Sequence, residues 1–213
     1  MKRGNPKNKY QTADFYARKA KKDDFPARSV YKLKEIQDKY RLIKRGDKVL
    51  GLGCAPGSWL QYAAELTGNQ GQVLGVDIKE IKVALPAHVR VLCRDVFDLA
   101  ENKENMAQAI GCGYNVVLSD MAPSTIGHKE TDSARSYHLC RAALTIAGKA
   151  LATGGSFVCK IFQGGDFEEF TGLVRAEFDK IKIFKPQSCR KESKEIYIIG
   201  TGKNRRDSDV GTQ

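Results

Sequence analysis

Three aspartates each stand at or just past the end of a short apolar run: Asp77 closes QVLGVD (72–77), Asp95 follows HVRVLC (88–93) and Asp120 follows NVVLS (115–119). A fourth run, KVLGL (48–52), breaks into a turn containing Gly53, Pro56 and Gly57 before a helix-like stretch. A strand, a glycine turn and a helix commonly hold a nucleotide-like ligand beyond the carboxyl ends of a parallel sheet. The turn lacks the Gly-Lys-Ser/Thr that grips phosphate, because Ser58 and Trp59 follow Gly57. It also departs from the dinucleotide pattern, and Pro56 removes an N–H where a pyrophosphate would want one. Three carboxylates make a poor pocket for a polyphosphate. Asp77, 24 residues after Gly53, is placed to accept from ribose hydroxyls. Asp95 is placed to read an amino group of a base, and Asp120 suits positive charge. S-adenosyl-L-methionine has all three features.

Lys160 is the other residue with chemical promise. It sits inside the apolar run GSFVCKIF (155–162), where a charge is out of place. A lysine there is either desolvated and functional or reaches past a strand end to water. Asp120 and Glu195 fall near strand termini and could face it. Metal chemistry finds no support in spacing: His88, His128 and His138 form no ligand pattern, and no metal is expected. A Gly-x-Ser-x-Gly nucleophile turn is also missing.

These residues need a sheet to position them. Apolar runs at 48–52, 72–77, 88–93, 115–119, 155–162, 181–185 and 194–200 read as strands. Helical stretches at 58–67, 101–110, 133–151 and 166–178 lie between most of them. The first, second and fourth runs are apolar on both faces, as in a parallel sheet covered by helices. Only a Pro-containing loop (186–193) separates the last two, which suits an antiparallel pair at one edge. The fold class is therefore α/β, Rossmann-like: seven strands, mostly parallel with an antiparallel edge strand, and helices on both faces. DDFPARSVYKLKEIQDKYRL (23–42) reads as one helix, with Pro26 in its first turn and Val30, Leu33, Ile36 and Tyr40 at helical spacing.

The 213 residues suffice for one domain. Residues 1–23 read as a basic, flexible or partly helical arm, 24–202 as the domain, and 203–213 as a disordered tail. No run is long enough to span a membrane and no signal segment opens the chain, so a cytoplasmic protein is expected. The six cysteines are scattered without a C-x-x-C pair and read as reduced thiols. The net charge of +11 is uneven. Residues 1–48 hold 16 Lys/Arg against 6 Asp/Glu, residues 49–179 hold 11 against 15, and residues 180–206 hold 9 against 2. Basic flanks around an acidic centre fit a polyanionic partner.

The blocks LGCAPGSW, GVDI, RDV, LSDMAPSTIG, GGSFVCKIFQG and KEIYIIGTG occur in the order and spacing of the FtsJ-type RNA ribose 2′-O-methyltransferases, and the chain resembles that family from about Tyr16 to Lys203. The resemblance implies methyl transfer from S-adenosyl-L-methionine to a ribose, a uridine in large-subunit ribosomal RNA. It implies a catalytic tetrad of Lys32, Asp120, Lys160 and Glu195, with Lys160 as general base. It implies cofactor contacts at Gly53, Gly57, Trp59, Asp77, Asp95 and Asp120. The family usually has an acidic residue where this chain has Gly51, which leaves the methionine amino group to Asp120 or to water. The large ribosomal subunit or its RNA is the implied partner, with Lys9, Arg18, Lys19, Arg28, Lys34, Arg190 and Lys194 as phosphate contacts. Tyr16 or Tyr31 could stack on a base, and a monomer is expected. Two other readings stand beside this one. An RNA-binding ribosome assembly factor would share the basic flanks, and a nicotinamide-dependent oxidoreductase would share the glycine turn but give Lys160 no role.

Overall fold

The computed structural model describes residues 7–190 and 192–205. Its seven strands are β1 (Lys48–Leu52), β2 (Gln72–Asp77), β3 (Val89–Cys93), β4 (Tyr114–Ser119), β5 (Leu151–Phe162), β6 (Phe178–Phe184) and β7 (Glu195–Lys203). The helices are α1 (Lys7–Lys22), α2 (Val30–Tyr40), α3 (Ser58–Thr67), α4 (Val96–Glu101), α5 (Lys103–Ile110), α6 (Lys129–Ala150) and α7 (Phe167–Glu177). One sheet runs in the order β3-β2-β1-β4-β5-β7-β6. Neighbours pair parallel from β3 to β5, and β7 runs antiparallel between β5 and β6. Strand order reverses between β1 and β4, so the crevice beyond their carboxyl ends is where such a sheet opens to a ligand. None of the described helices is long and apolar enough to cross a membrane.

Alternation along the strands builds two apolar layers. Val49, Val73, Val116, Leu118 and Val158 pack under Leu33 and Ile36 of α2 and Trp59, Leu60 and Ala63 of α3. Their neighbours Leu50, Leu52, Leu74, Val76 and Val117 pack on the other face with α4–α7. The paired glycines Gly51 and Gly75 let α3 settle on the first face. A Cβ at Gly75 would lie 2.5 Å from Leu60 Cδ1.

Several boundaries differ from the sequence reading. The helix expected over 23–42 begins only at Val30 and stops at Tyr40. Proline disfavours helical backbone in the residue before it, here Phe25, and Asp24 already has φ +59°. The Phe25 N–H instead closes the end of α1 on the Ala20 carbonyl at 2.9 Å. Arg41, at φ +49°, ends α2 before Gly46 is reached. β7 runs through buried Lys203, so that residue belongs to the sheet and not to a tail. Residues 1–6 of the expected arm and 206–213 of the expected tail lie outside the described residues. The short helix α4, missed in sequence, starts where Asp95 Oδ1 accepts the Phe97 N–H at 2.9 Å.

The crevice depends on Gly53. Its φ of +69° suits glycine, and a Cβ there would meet Met121 Cγ at 2.4 Å and Met121 Cα at 2.9 Å. Gly53→Ala is expected to destabilise the protein by about 2–4 kcal/mol, from left-handed backbone and overpacking together. A urea unfolding midpoint is the check, and an unchanged midpoint would contradict this close approach.

Candidate active site

Asp120 follows β4 and belongs to two structures at once. Its carboxylate faces a buried cluster of charged and phenolic groups, and it also lines a cavity at the crevice. In the cluster, Lys160 Nζ lies 2.9 Å from Asp120 Oδ1 and donates to the Asp120 carbonyl at 2.5 Å. The Tyr197 hydroxyl donates to the same Oδ1 at 2.7 Å. Lys32 of α2 pairs with Glu195 Oε2 at 2.7 Å. Lys32 and Lys160 are 7% and 5% exposed, so neither ammonium relies on water for its solvation.

Strand directions explain this convergence. Lys160 sits directly opposite Tyr197 in the antiparallel β5–β7 ladder, and Glu195 lies two residues before Tyr197. These three side chains therefore share one face. It is the face covered by α2, whose helix brings in Lys32.

The charges tune one another. Burial alone would lower the Lys32 pKa, but the charges of Asp120 and Glu195 outweigh it and hold the ammonium above the ordinary lysine value. Burial pushes Asp120 up, yet Lys160, Lys32 and the Tyr197 hydroxyl bring its carboxyl below the usual range. Glu195 is lowered in the same way, mainly by Lys32. Burial and then the Asp120 charge push the Tyr197 phenol well above its normal value. The carboxylates and Lys32 are thus ionised near neutral pH, and Tyr197 keeps its proton.

The cavity, about 340 Å³, is lined by Gly53, Asp77, Asp95 and Asp120, and by Ile78, Phe97 and Met121 among others. Asp77 Oδ2 accepts the Ala55 N–H at 2.8 Å and Oδ1 the Lys79 N–H at 2.9 Å. These bonds fix the carboxylate, and a carboxylate retains further acceptor directions for hydroxyl donors. Asp95 is half-buried and uses Oδ1 for its helix cap. Ile78 and Phe97 are 65% and 39% exposed and border the cavity. Acceptors for hydroxyl and amino groups, apolar side chains for a ring and an anion for a cation fit an adenosine-like ligand with positive charge.

The structure brings together Lys32, Asp120, Lys160 and Glu195, and separately Gly53, Asp77, Asp95 and Asp120. Gly57 and Trp59 do not line this cavity. Gly57 backs onto Val83 and Ile81. Trp59 is buried, donates from Nε1 to the Ser29 carbonyl at 2.9 Å and stacks on Tyr197 at 5.9 Å. At Gly51 a Cβ would come within 2.9 Å of Leu60 Cδ2, so α3 fills that space. Sequence reasoning missed Tyr197, Ile78 and Phe97. The signal for Tyr197 is its two-residue spacing from Glu195 on a strand, and for the other two their places just after Asp77 and Asp95. Among the described residues no group of three or more His, Cys, Asp or Glu side chains is arranged to hold a metal ion.

The expected phosphate contacts divide. Arg18, Arg190 and Lys194 are exposed. Lys19 pairs with Asp23 at 2.8 Å and lies over the Tyr31 ring. The Lys34 ammonium lies 4.3 Å from the Phe25 ring centre and 5.1 Å from that of Tyr62. Arg28 donates to the Ser188 carbonyl. Lys9 lies on α1, and its side chain is outside the described ones. Tyr31 is buried against Tyr16 and donates to Asp23, so it offers no face for stacking.

The profile of the FtsJ-like methyltransferase family matches residues 25–203. A ribosomal RNA large subunit methyltransferase E from Desulforapulum autotrophicum is 53% identical over 201 residues, 94% of this chain and 97% of that protein. Another from Desulfosudis oleivorans is 50% identical over the full length of both. A crystal structure described as a ribosomal RNA methyltransferase from Plasmodium falciparum superposes with a TM-score of 0.75 at 24% identity, covering 85% of this chain and 100% of that one, a likeness of fold.

The buried network sets a pH window for stability. Carboxyls held below their unfolded values stabilise the fold above roughly pH 4, and that contribution is lost as pH falls through their folded values. Lys32, held above its unfolded value, contributes below roughly pH 10 and loses its contribution as pH rises through the folded one. Asp120→Asn leaves buried ammonium groups short of a counter-charge and is expected to cost about 3–5 kcal/mol near neutrality. The gap to wild type should close in acid. Urea unfolding across a pH series checks this, and a pH-independent gap would contradict the assignment.

Proposed function

The chain belongs to the FtsJ-like methyltransferase family, and from that premise we propose that it methylates the 2′-hydroxyl of a ribose, in a uridine of large-subunit ribosomal RNA, with S-adenosyl-L-methionine as donor. The observation that carries this reading is the shared position of Asp120, which joins the acidic cavity to the buried Lys160. The names of the relatives support the RNA class, and the exposed Arg18, Arg190 and Lys194 supply cations for its phosphates.

When bound, the cofactor supplies a methyl group on a cationic sulfur that needs no further activation. Asp77 would accept from the ribose hydroxyls of that ligand and Asp95 from its base, with Ile78 and Phe97 beside the ring. Asp120 would offset the positive charge of the ligand on the side of the cavity next to Lys160. Such alignment of attacking oxygen, methyl carbon and leaving sulfur can account for about 7–11 kcal/mol of the barrier. The ribose hydroxyl must also lose a proton as the new bond forms. Lys32 is held as a cation by two carboxylates, and Tyr197 keeps its proton. Lys160 is then the amine that, in its neutral form, accepts the hydroxyl proton at Nζ. Asp120 Oδ1 and the Asp120 carbonyl hold that nitrogen in place before and after the transfer. Lys32, kept charged, offsets negative charge on the reacting oxygen or a neighbouring phosphate.

The test uses isotope-labelled donor with large ribosomal subunits and with their free RNA, followed by mass mapping of the methylated nucleotide. Wild type is expected to place label on a ribose. Lys160→Ala should lose about 10²–10⁴-fold in kcat, the usual range for a general base. Lys160→Arg should lose as much, because guanidinium does not give up its proton. Near wild-type rates in Lys160→Arg would show a cation that only stabilises charge. RNA binding without methyl transfer by wild type would favour an assembly role.

A further inference from the structure

Lys32 is not the only residue that α2 sends toward β7. Glu35 lies one helical turn further along and so shares a side of the helix with Lys32. Its carboxylate meets the loop between β6 and β7, which leads directly into Glu195. Oε2 accepts the Gln187 N–H at 2.6 Å and Oε1 accepts the Ser188 N–H at 2.8 Å. Arg28, just ahead of α2, donates to the Ser188 carbonyl at 3.3 Å. Two successive peptide units of the loop are thus tied to the middle of α2 and to a residue ahead of it. Ser188 is 2% exposed, and its own hydroxyl is buried without a hydrogen-bond partner among the described residues. The loop is therefore anchored by its backbone, and chiefly by the two oxygens of Glu35.

The consequence reaches the network. Cys189, next in the loop, is 5% exposed and lies within the electrostatic reach of Lys32, Glu195, Asp120 and Glu35. Burial pushes its thiol up to about 11, so it packs as a neutral side chain. Beyond it, the Ser193 hydroxyl accepts the Glu195 N–H at 3.2 Å, and Lys185 donates to the Ser193 carbonyl at 2.8 Å. The loop is held at both ends, and Glu35 supplies the hold nearest α2. The other groups around Glu35 are Arg28, the Cys189 thiol and the Tyr16 phenol of α1.

We infer that Glu35 is a positioning residue for the reaction: by accepting the Gln187 and Ser188 amides it fixes the β6–β7 loop against α2, and so sets the geometry of the Lys32–Glu195 pair. This rests on the reading of that pair as part of the catalytic network. A carboxylate suits the task because two N–H donors need two acceptors, and bonds to an ionised acceptor are the stronger kind. Glutamine keeps one acceptor and turns an NH₂ donor toward the other N–H.

The test compares wild type, Glu35→Gln and Glu35→Asp by two readouts. The first is peptide-resolved alkylation of Cys189 by iodoacetamide without substrate, with exposed Cys93 and Cys112 as internal references. Cys189 is expected to react about tenfold faster in Glu35→Gln, as local opening of the loop exposes it. The second is methyl transfer to large subunits. Here kcat should fall about 10- to 100-fold, with KM for donor and RNA within about threefold, because the loss is one of alignment. Glu35→Asp, which keeps both oxygens on a shorter stem, should be intermediate in both. Unchanged alkylation would overturn the clamp. Faster alkylation with unchanged kcat would overturn its link to the reaction, as would a rise in the RNA KM alone. Failure of wild type to methylate a ribose would instead sink the proposed function, and the alkylation readout, which needs no substrate, tells the two failures apart.

Discussion

The pairing of Asp120 with Lys160, 2.9 Å apart and nearly closed to water, is the interaction on which the rest of the structure depends. A buried ammonium is costly unless a counter-charge and hydrogen bonds meet it. Here the counter-charge comes from the end of β4 and the ammonium from β5. The second pair spans the start of β7 and the side of α2. The antiparallel β7 makes this possible, because its first residue lies at the same end of the sheet as the last residues of β4 and β5. A parallel strand in that place would bring its first residue to the opposite end, and Glu195 would be lost to the network.

The same sheet separates two kinds of electrostatics. Around the crevice the ends of β2, β3 and β4 supply Asp77, Asp95 and Asp120. The flanking segments carry the cations, among them Arg18, Arg190 and Lys194 at the surface. A phosphate chain is repelled by the first set and attracted by the second. Asp120 belongs to the first set and also pairs with the buried Lys160. The glycines allow this closeness: Gly53 lets the turn after β1 rest against Met121, and Gly51 with Gly75 lets Leu60 settle on the sheet.

The frame was legible because it is written in short-range patterns. All seven apolar runs are strands, and Lys160 stood out as a charge inside one of them. The three strand-end aspartates were visible for the same reason, and all three line the cavity. What was hidden depends on contacts distant in sequence. Tyr197 looks like an ordinary strand aromatic until the β5–β7 register sets it opposite Lys160. Lys34 reads as a phosphate contact, but Phe25 and Tyr62 take its ammonium. Trp59 follows the glycine turn, yet its ring turns toward Ser29 and Tyr197. Pro26 reads as a first-turn proline, yet it stands between α1 and α2, and the helix begins only at Val30.

Burial and pairing act in opposite directions on Lys32, Asp120 and Glu195, whereas both push the Tyr197 phenol up. Lys32 has Glu195 in contact and the charge of Asp120 nearby, which is enough to keep it protonated against desolvation. Lys160 has one direct carboxylate, and that carboxylate also accepts from Tyr197 and faces the cavity. The network thus has one amine held as a cation by two carboxylates and a second that shares its carboxylate oxygen with the Tyr197 hydroxyl. An apolar side chain of similar size in place of Lys160 would fill the same space without the cost of burying a charge, so stability alone does not account for a lysine there.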